Sequence, residues 1–302
     1  MVKKVVRLGC RLKKWGVALV LACAFLVGCM YVSGEVIEEN VASATFLDVG
    51  QGLAVLFEFD GKFAMYDAGP DSVGVMDSLR ARGVDTLQWV VASHYHRDHV
   101  GGLLELEDGH GSESGRSKSP GPVVKRLYVG LDTAGGFIRD SLFRMARCLK
   151  IPVDTIFRGS EITLGALRLK TLWPPAFMTL GGNESSIVLD GRLDSSTASF
   201  LLAGDLDSAS ERRLLELSPS LSTNLLQVPH HGSSGSNSLK FLSQLAPRFA
   251  VISVGENNGY GHPTKSVLQK LKYVIGDTAA IYRTDLNGTV EFQMVPGVGV
   301  VP

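Results

Sequence analysis

Directly after the apolar run 87–92 (LQWVVA), the chain reads Ser-His-Tyr-His-Arg-Asp-His-Val-Gly-Gly over residues 93–102. No other stretch limits the chain's chemistry so strongly. Alternate residues of an extended segment point the same way, so His94 and His96 are placed to share one metal ion. The chain then turns, which brings Asp98 and His99 to face a second ion beside the first. Neutral imidazoles with a carboxylate suit zinc, manganese or iron. A purely structural reading needs three histidines and an aspartate to fall in this spacing by chance at a strand end.

Further motifs repeat the theme of a polar residue where an apolar run stops. Residues 200–205 (FLLAGD) end in Gly-Asp, and Asp205 there is suited to bridge two cations, although Gly-Asp alone is usually a turn. Residues 226–233 (LQVPHHGS) run into paired histidines. Adjacent residues of a strand point in opposite directions, so only one of His230 and His231 is expected to be a direct ligand. His262 sits in a tight loop, Gly-Tyr-Gly-His-Pro, and reads equally as a surface histidine. His110 lies in a Gly/Ser/Pro-rich stretch, 107–122, and reads as a solvated loop residue.

The rest of the chain is an interleaved series of strand-like and helix-like runs. Strands are expected at 45–49, 54–59, 62–66, 87–92, near 162, and at 167–172, 186–189, 198–203, 224–228, 249–253 and 279–282. Asp60-Gly61 marks a hairpin. Helices are expected at 71–82, 137–150, 208–217 and 264–275. No repeat stands out, so one α/β domain over about 44–297 follows. At 45% hydrophobic and 20% charged residues, the composition excludes disordered, collagen-like and disulfide-stapled chains.

The net charge of zero conceals an uneven distribution. Residues 1–28 hold six cations (Lys3, Lys4, Arg7, Arg11, Lys13, Lys14) and no acid, leaving 24 basic against 30 acidic residues, about −6, in the remainder. Such a chain lacks the broad basic field of a protein that coats nucleic acid, so any DNA contact must be local. After the cations comes an apolar run, 17–28, too short to span a bilayer and the length of a signal-peptide core. It stops at Leu-Val-Gly-Cys, similar to a bacterial lipobox. Residues 1–28 are therefore expected to be a lipoprotein signal peptide, 29–43 a linker, and the chain to be exported and membrane-attached through lipid on Cys29. Cleavage there leaves Cys148 without a disulfide partner, and its helical context predicts a small core residue.

The ordered set LDVGQGLAV (47–55), YDAGP (66–70), SHYHRDHVGG (93–102), NESSIVL (183–189), LLAGD (201–205), LLQVPHHGS (225–233) and YGHP (260–263) resembles the metallo-β-lactamase-like domain of the ComEC family of DNA-uptake channels. The resemblance spans about 44–290. It implies a four-layer αββα sandwich with two divalent metal ions, zinc or alternatively manganese, at one edge of the sheets. On that pattern His94 and His96 hold the first ion, Asp98, His99 and His231 the second, and Asp205 bridges them. The wider superfamily usually has another histidine between the first motif and the bridging aspartate. Only His110 occupies that interval here, which leaves the first site to be completed by His230, His262 or water. His262 is otherwise expected as a general acid or phosphate contact, with Asp98 as the other catalytic group. Asp48 and Asp67 are each expected either to orient a ligand imidazole from behind or only to form a turn. Asn183 and Ser186 are expected to donate hydrogen bonds to a phosphate.

Two bridged cations make water the nucleophile, so no serine or cysteine is required. The expected activity is hydrolysis of a phosphodiester, DNA included. The alternatives are an esterase of small or cell-surface phosphodiesters, a lactam or lactone hydrolase, and a non-catalytic lipoprotein that keeps the fold as a binding module. An intact ligand set argues against the last.

Overall fold

Short strands separated by tight turns build two sheets in the computed structural model, which describes residues 40–71, 73–108, 121–132, 135–178, 181–194 and 196–302. The expected signal peptide with Cys29, and His110, lie outside the described residues. The first strands are β1 (Ala42–Phe46), β2 (Ala54–Phe59), β3 (Lys62–Ala68), β4 (Thr86–Ala92), β5 (Val123–Val124), β6 (Leu127–Val129) and β7 (Val153–Thr155). They are followed by β8 (Glu161–Leu164), β9 (Leu167–Trp173), β10 (Val188–Leu193), β11 (Ser199–Leu202), β12 (Leu225–Gln227), β13 (Phe249–Ile252) and β14 (Ile281–Arg283). Strands β15 (Val290–Val295) and β16 (Gly299–Val301) complete the set.

One sheet runs β16-β15-β1-β2-β3-β4-β6-β7, with β5 also on β4, and the other runs β14-β13-β12-β11-β10-β9-β8. The β2–β3 turn is made by Asp60 and Gly61, whose φ values of 51° and 66° match the right-handed strand twist. In the first sheet β3, β4, β6 and β7 are parallel, and in the second β11 to β14 are parallel. Parallel neighbours need crossovers, and helices supply most of them. Helices α1 (Val75–Ala81), α2 (Arg97–Asp108) and α3 (Phe137–Cys148) accompany the first sheet. Helices α4 (Ser208–Leu217), α5 (Leu239–Leu245) and α6 (Lys265–Ile275) accompany the second, and α7 (Thr284–Asn287) is one turn after β14.

Three apolar clusters show how the layers stack. One lies between the sheets and joins Phe57 and Trp89 of the first to Leu169 and Phe200 of the second. Its Phe57 and Phe200 rings stack 5.3 Å apart at 23°. A second joins Met65 and Val90 to Leu79, Leu103 and Met145 of the outer helices. A third joins Leu201 and Ile252 to Leu214, Phe241 and Leu271. The result is the four-layer αββα sandwich. The parallel strands of such sheets offer their carboxyl ends for function, and the polar motifs follow β3, β4, β11, β12 and β13.

Several local expectations change. Strand β1 ends at Phe46 because residues 47–53 fold into the turn containing Gly50 and Gly52. Helix α1 starts only at Val75, behind Gly74 at φ 70°. Strands β5, β6, β7, β15 and β16 and helices α2, α5 and α7 were not expected from the sequence. Cys148 is exposed rather than in the core. The buried stripe of α3 is Ser141, Leu142, Met145 and Ala146, and at 100° per residue Cys148 falls about a quarter turn off its centre.

Candidate metal centre

Strand β4 ends at Ala92, and the following residues bend inward before α2 begins. His94 is buried, His96 exposed, and Asp98 and His99 stand on the first turn of α2. From the other sheet come Asp205, after β11, and the His230–His231 pair, after β12. Asp205 is the centre of the arrangement. Its Oδ1 lies 3.1 Å from Nε2 of His99 and 3.6 Å from Nε2 of His231. Its Oδ2 lies 3.9 Å from Nε2 of His94 and 3.7 Å from Nε2 of His230. Nε2 of His231 is also 3.4 Å from Oδ2 of Asp98.

These ligand atoms form two groups that share Asp205: Asp98, His99, Asp205 and His231, and His94, His96 and Asp205. Donors bound at about 2.0–2.2 Å to one tetrahedral cation stand about 3.4 Å apart, and the contacts to His94, His99 and His231 run from 3.1 to 3.9 Å. The buried Nε2 atoms of His94, His99 and His231, and Oδ1 of Asp205, have no hydrogen-bond partner. Buried polar atoms are rarely left so. Divalent cations fit both groups.

The far side of each ring explains why its Nε2 faces inward. Nδ1 of His99 is 2.7 Å from Oδ2 of Asp67, which is fully buried. The Ser93 hydroxyl donates to the same Asp67 oxygen at 2.7 Å, which leaves its lone pair to accept from Nδ1–H of His94 at 2.9 Å. Nδ1–H of His231 donates to the Ser253 carbonyl at 2.8 Å. Holding Nδ1–H fixes the tautomer and presents Nε2 to a metal. Thus Asp67 orients an imidazole in each group, while Ser93 and the Ser253 carbonyl do related work that the sequence did not mark.

The electrostatics are those of a centre that expects cations. Burial opposes charge on His99, but Asp205 and Asp67 outweigh it and hold its pKa well above the ordinary histidine range. Burial and the neighbouring His99 push His94 well below that range. Burial opposes the charge of Asp98, and the adjacent His231 and His99 overcome it, giving about 2. Asp98 therefore stays ionised across the physiological range.

Other expected residues are placed as follows. Asp48 is exposed, and its Oδ1 accepts from the Gly50 amide at 3.2 Å, so it forms the turn and orients no ligand. Ser186 is fully buried behind the centre and accepts from the Asp205 amide at 3.1 Å, with Nδ1 of His94 at 3.5 Å. It is therefore out of reach of a phosphate and positions Asp205 instead. Asn183 faces His230, with its Nδ2 3.3 Å from Nδ1 and 3.4 Å from Nε2. His262 belongs to neither close group. Its ring lies 5.8 Å from that of His230, with the exposed Tyr260 stacked on it. The Asn258 side chain, which the sequence also left unmarked, holds the His262 backbone at both ends, donating to its carbonyl at 2.6 Å and accepting from its amide at 3.1 Å.

A two-sheet sandwich with paired His/Asp groups at the strand ends defines the class. Residues 47–256 match the metallo-beta-lactamase superfamily, and the chain belongs to it. Among curated proteins it is 28% identical over 292 residues to ComE operon protein 3 of Bacillus subtilis, covering 93% of this chain and 35% of that one. It is 29% identical over 293 residues to competence protein ComA of Neisseria gonorrhoeae, covering 96% and 37%. The chain thus spans about a third of the length of these relatives. Among solved structures, the metallo-beta-lactamase fold protein YhfI from Bacillus subtilis shares the fold at TM-score 0.51 and 15% identity, covering 84% of this chain and all of that one. So does CmlA, a diiron beta-hydroxylase from Streptomyces venezuelae, at TM-score 0.52 and 14% identity, covering 84% and 54%.

Proposed function

We propose that the chain is a metal-dependent hydrolase of phosphodiesters, DNA among them. The observation that carries this reading is Asp205, whose two oxygens each address a separate set of imidazoles. Divalent cations held there supply Lewis acidity against developing negative charge and acidify water at neutral pH. Asp98, ionised and half-buried at the rim, accepts a hydrogen bond from attacking water and sets its direction. His262 stands outside both ligand groups but beside them, its ring 5.8 Å from that of His230, where it would donate a proton to the departing alkoxide or a hydrogen bond to a phosphate oxygen. The kinship with competence proteins supports DNA as one substrate.

The test is the full chain, its metal content first measured, assayed on plasmid DNA, bis-p-nitrophenyl phosphate and a chromogenic lactam. Turnover of the two phosphodiesters that stops with chelator is expected. Turnover of the lactam alone, or of nothing by metal-loaded protein, would sink the proposal.

A further inference from the structure

The His94–His96–Asp205 group has three donors, whereas its neighbour has four. We infer that His230 is the missing third imidazole of the first site and that Asn183 orients it. This rests on the two-cation reading of the centre.

An ordinary strand turns adjacent side chains to opposite faces, so a His-His pair should deliver only one ring. Residues 230 and 231 are not in a strand. Both adopt left-handed backbone, with φ/ψ of 52°/45° and 53°/23°, and Gly232 continues it at φ 82°. Two consecutive non-glycine residues in that region are uncommon and strained, and they persist only where the surroundings fix them. Here the His230 amide donates to the Gly204 carbonyl at 3.0 Å, and the Ser233 amide to the His230 carbonyl at 2.8 Å. The Asn237 side-chain Nδ2 donates to the Pro229 and Ser233 carbonyls at 2.9 and 3.2 Å. Gly232 cannot carry a side chain, because a Cβ there would sit 2.5 Å from that of Pro263.

The strained turn splays the two rings. They lie 6.3 Å apart at 74°, and each addresses a different oxygen of the same carboxylate. Nε2 of His231 faces Oδ1 of Asp205 at 3.6 Å, and Nε2 of His230 faces Oδ2 at 3.7 Å. Oδ2 is the oxygen that His94 also faces, at 3.9 Å.

A second feature agrees. His94, His99 and His231 each turn Nε2 to Asp205 and have Nδ1 held from behind. His230 also has a side-chain neighbour, the Asn183 amide, whose Nδ2 lies 3.3 Å from Nδ1 and 3.4 Å from Nε2 of the ring. The Asn183 oxygen is buried without a partner, and a half-turn of the amide lets it accept Nδ1–H. With Nε2 of His230 on Oδ2 of Asp205, the first site becomes three imidazoles and a bridging carboxylate.

Stripping the full chain with chelator and titrating it with Zn²⁺ and Co²⁺ by calorimetry tests this, with elemental analysis after desalting. Wild type should take two ions. His230→Asn removes the imidazole while tolerating left-handed backbone, and should weaken one site at least 10-fold while leaving the other unchanged. Asn183→Ala should weaken the same site by roughly 10–100-fold, and His262→Ala should keep both ions. Two ions bound by His230→Asn with wild-type affinities would overturn the assignment and leave the hydrolase reading intact. No ion bound by wild type would overturn both. Should His230→Asn fail to fold by circular dichroism, Asn183→Ala decides, and unchanged affinity there overturns the assignment.

Discussion

At the scale of single residues the centre depends on which nitrogen of each ring is held. Oδ2 of Asp67 receives both the Ser93 hydroxyl and the His99 ring, and through Ser93 it reaches His94. His262 is held differently, by its backbone through Asn258, and its ring remains outside the ligand groups. That difference is measurable. His262→Ala should lose roughly 10²–10⁴ in rate on diesters with alkyl leaving groups. The loss should be far smaller on p-nitrophenyl esters, whose leaving group departs without a proton, and both metals should remain. Loss of an ion in His262→Ala, or equal losses on both substrates, would remove the acid and phosphate-contact role. The first histidine motif, Asp205 and the His230–His231 pair were legible in the sequence because each follows an apolar run. Ser93, Asn258 and the Ser253 carbonyl were not, because their partners are chosen by the fold. The His230–His231 pair lies outside the rule of strand alternation, because both residues adopt left-handed backbone.

At the scale of elements, α2 carries two of the expected ligands and was the least legible helix. Its second turn contains Gly101 and Gly102, and glycine costs up to about 1 kcal/mol in a helix relative to alanine. Propensity alone therefore argues against a helix there. Packing overrides it, because α2 lies directly on the chain leaving β3. A Cβ on Gly102 would sit 2.2 Å from the Ala68 carbonyl oxygen, and one on Gly101 would sit 2.4 Å from the Asp71 amide. The Gly102 amide also donates to the Gly69 carbonyl at 3.0 Å. On an exposed helix Gly→Ala stabilises. Here Gly102→Ala should destabilise by about 1–3 kcal/mol, the usual cost of overpacking, and displace Asp98 and His99 one turn earlier. Thermal denaturation and metal analysis of the variant check both effects. A more stable variant with full metal content would show that α2 can move aside freely. The long elements were legible where periodicity was strong, as in β2, β9, α3 and α4. The two- and three-residue strands β5, β6, β7 and β16 are too short to carry a pattern.

At the scale of the molecule the centre sits on the seam between the sheets. The first sheet supplies His94, His96, Asp98 and His99, and the second supplies Asp205, His230 and His231. The seam has polar ties of its own: the Ile187 amide to the Ser93 carbonyl at 2.9 Å, the Tyr66 hydroxyl to the Ile187 carbonyl at 2.6 Å, and the Ser253 hydroxyl to the Gly52 carbonyl at 2.7 Å. Cations bound by both sheets would add a clamp at this edge, whereas β4 and the edge strand β8 are tied by the Trp89 indole N–H to the Thr163 carbonyl at 2.9 Å. Free cation at 100 times its dissociation constant stabilises the folded state by about 2.7 kcal/mol. For a domain of this size that corresponds to a rise of roughly 5–10 °C in Tm. Chelation should reverse the rise and leave His231→Ala, already short of a ligand, with a smaller response. Because the clamp is local, the loss of protection should be local too. Hydrogen exchange after chelation should quicken at the ends of β4, β11 and β12 and in the first turn of α2, with β8 and β16 little changed. Uniform quickening across both sheets would mean that the ions support the whole fold, and no change at the seam would mean that they do not join the sheets.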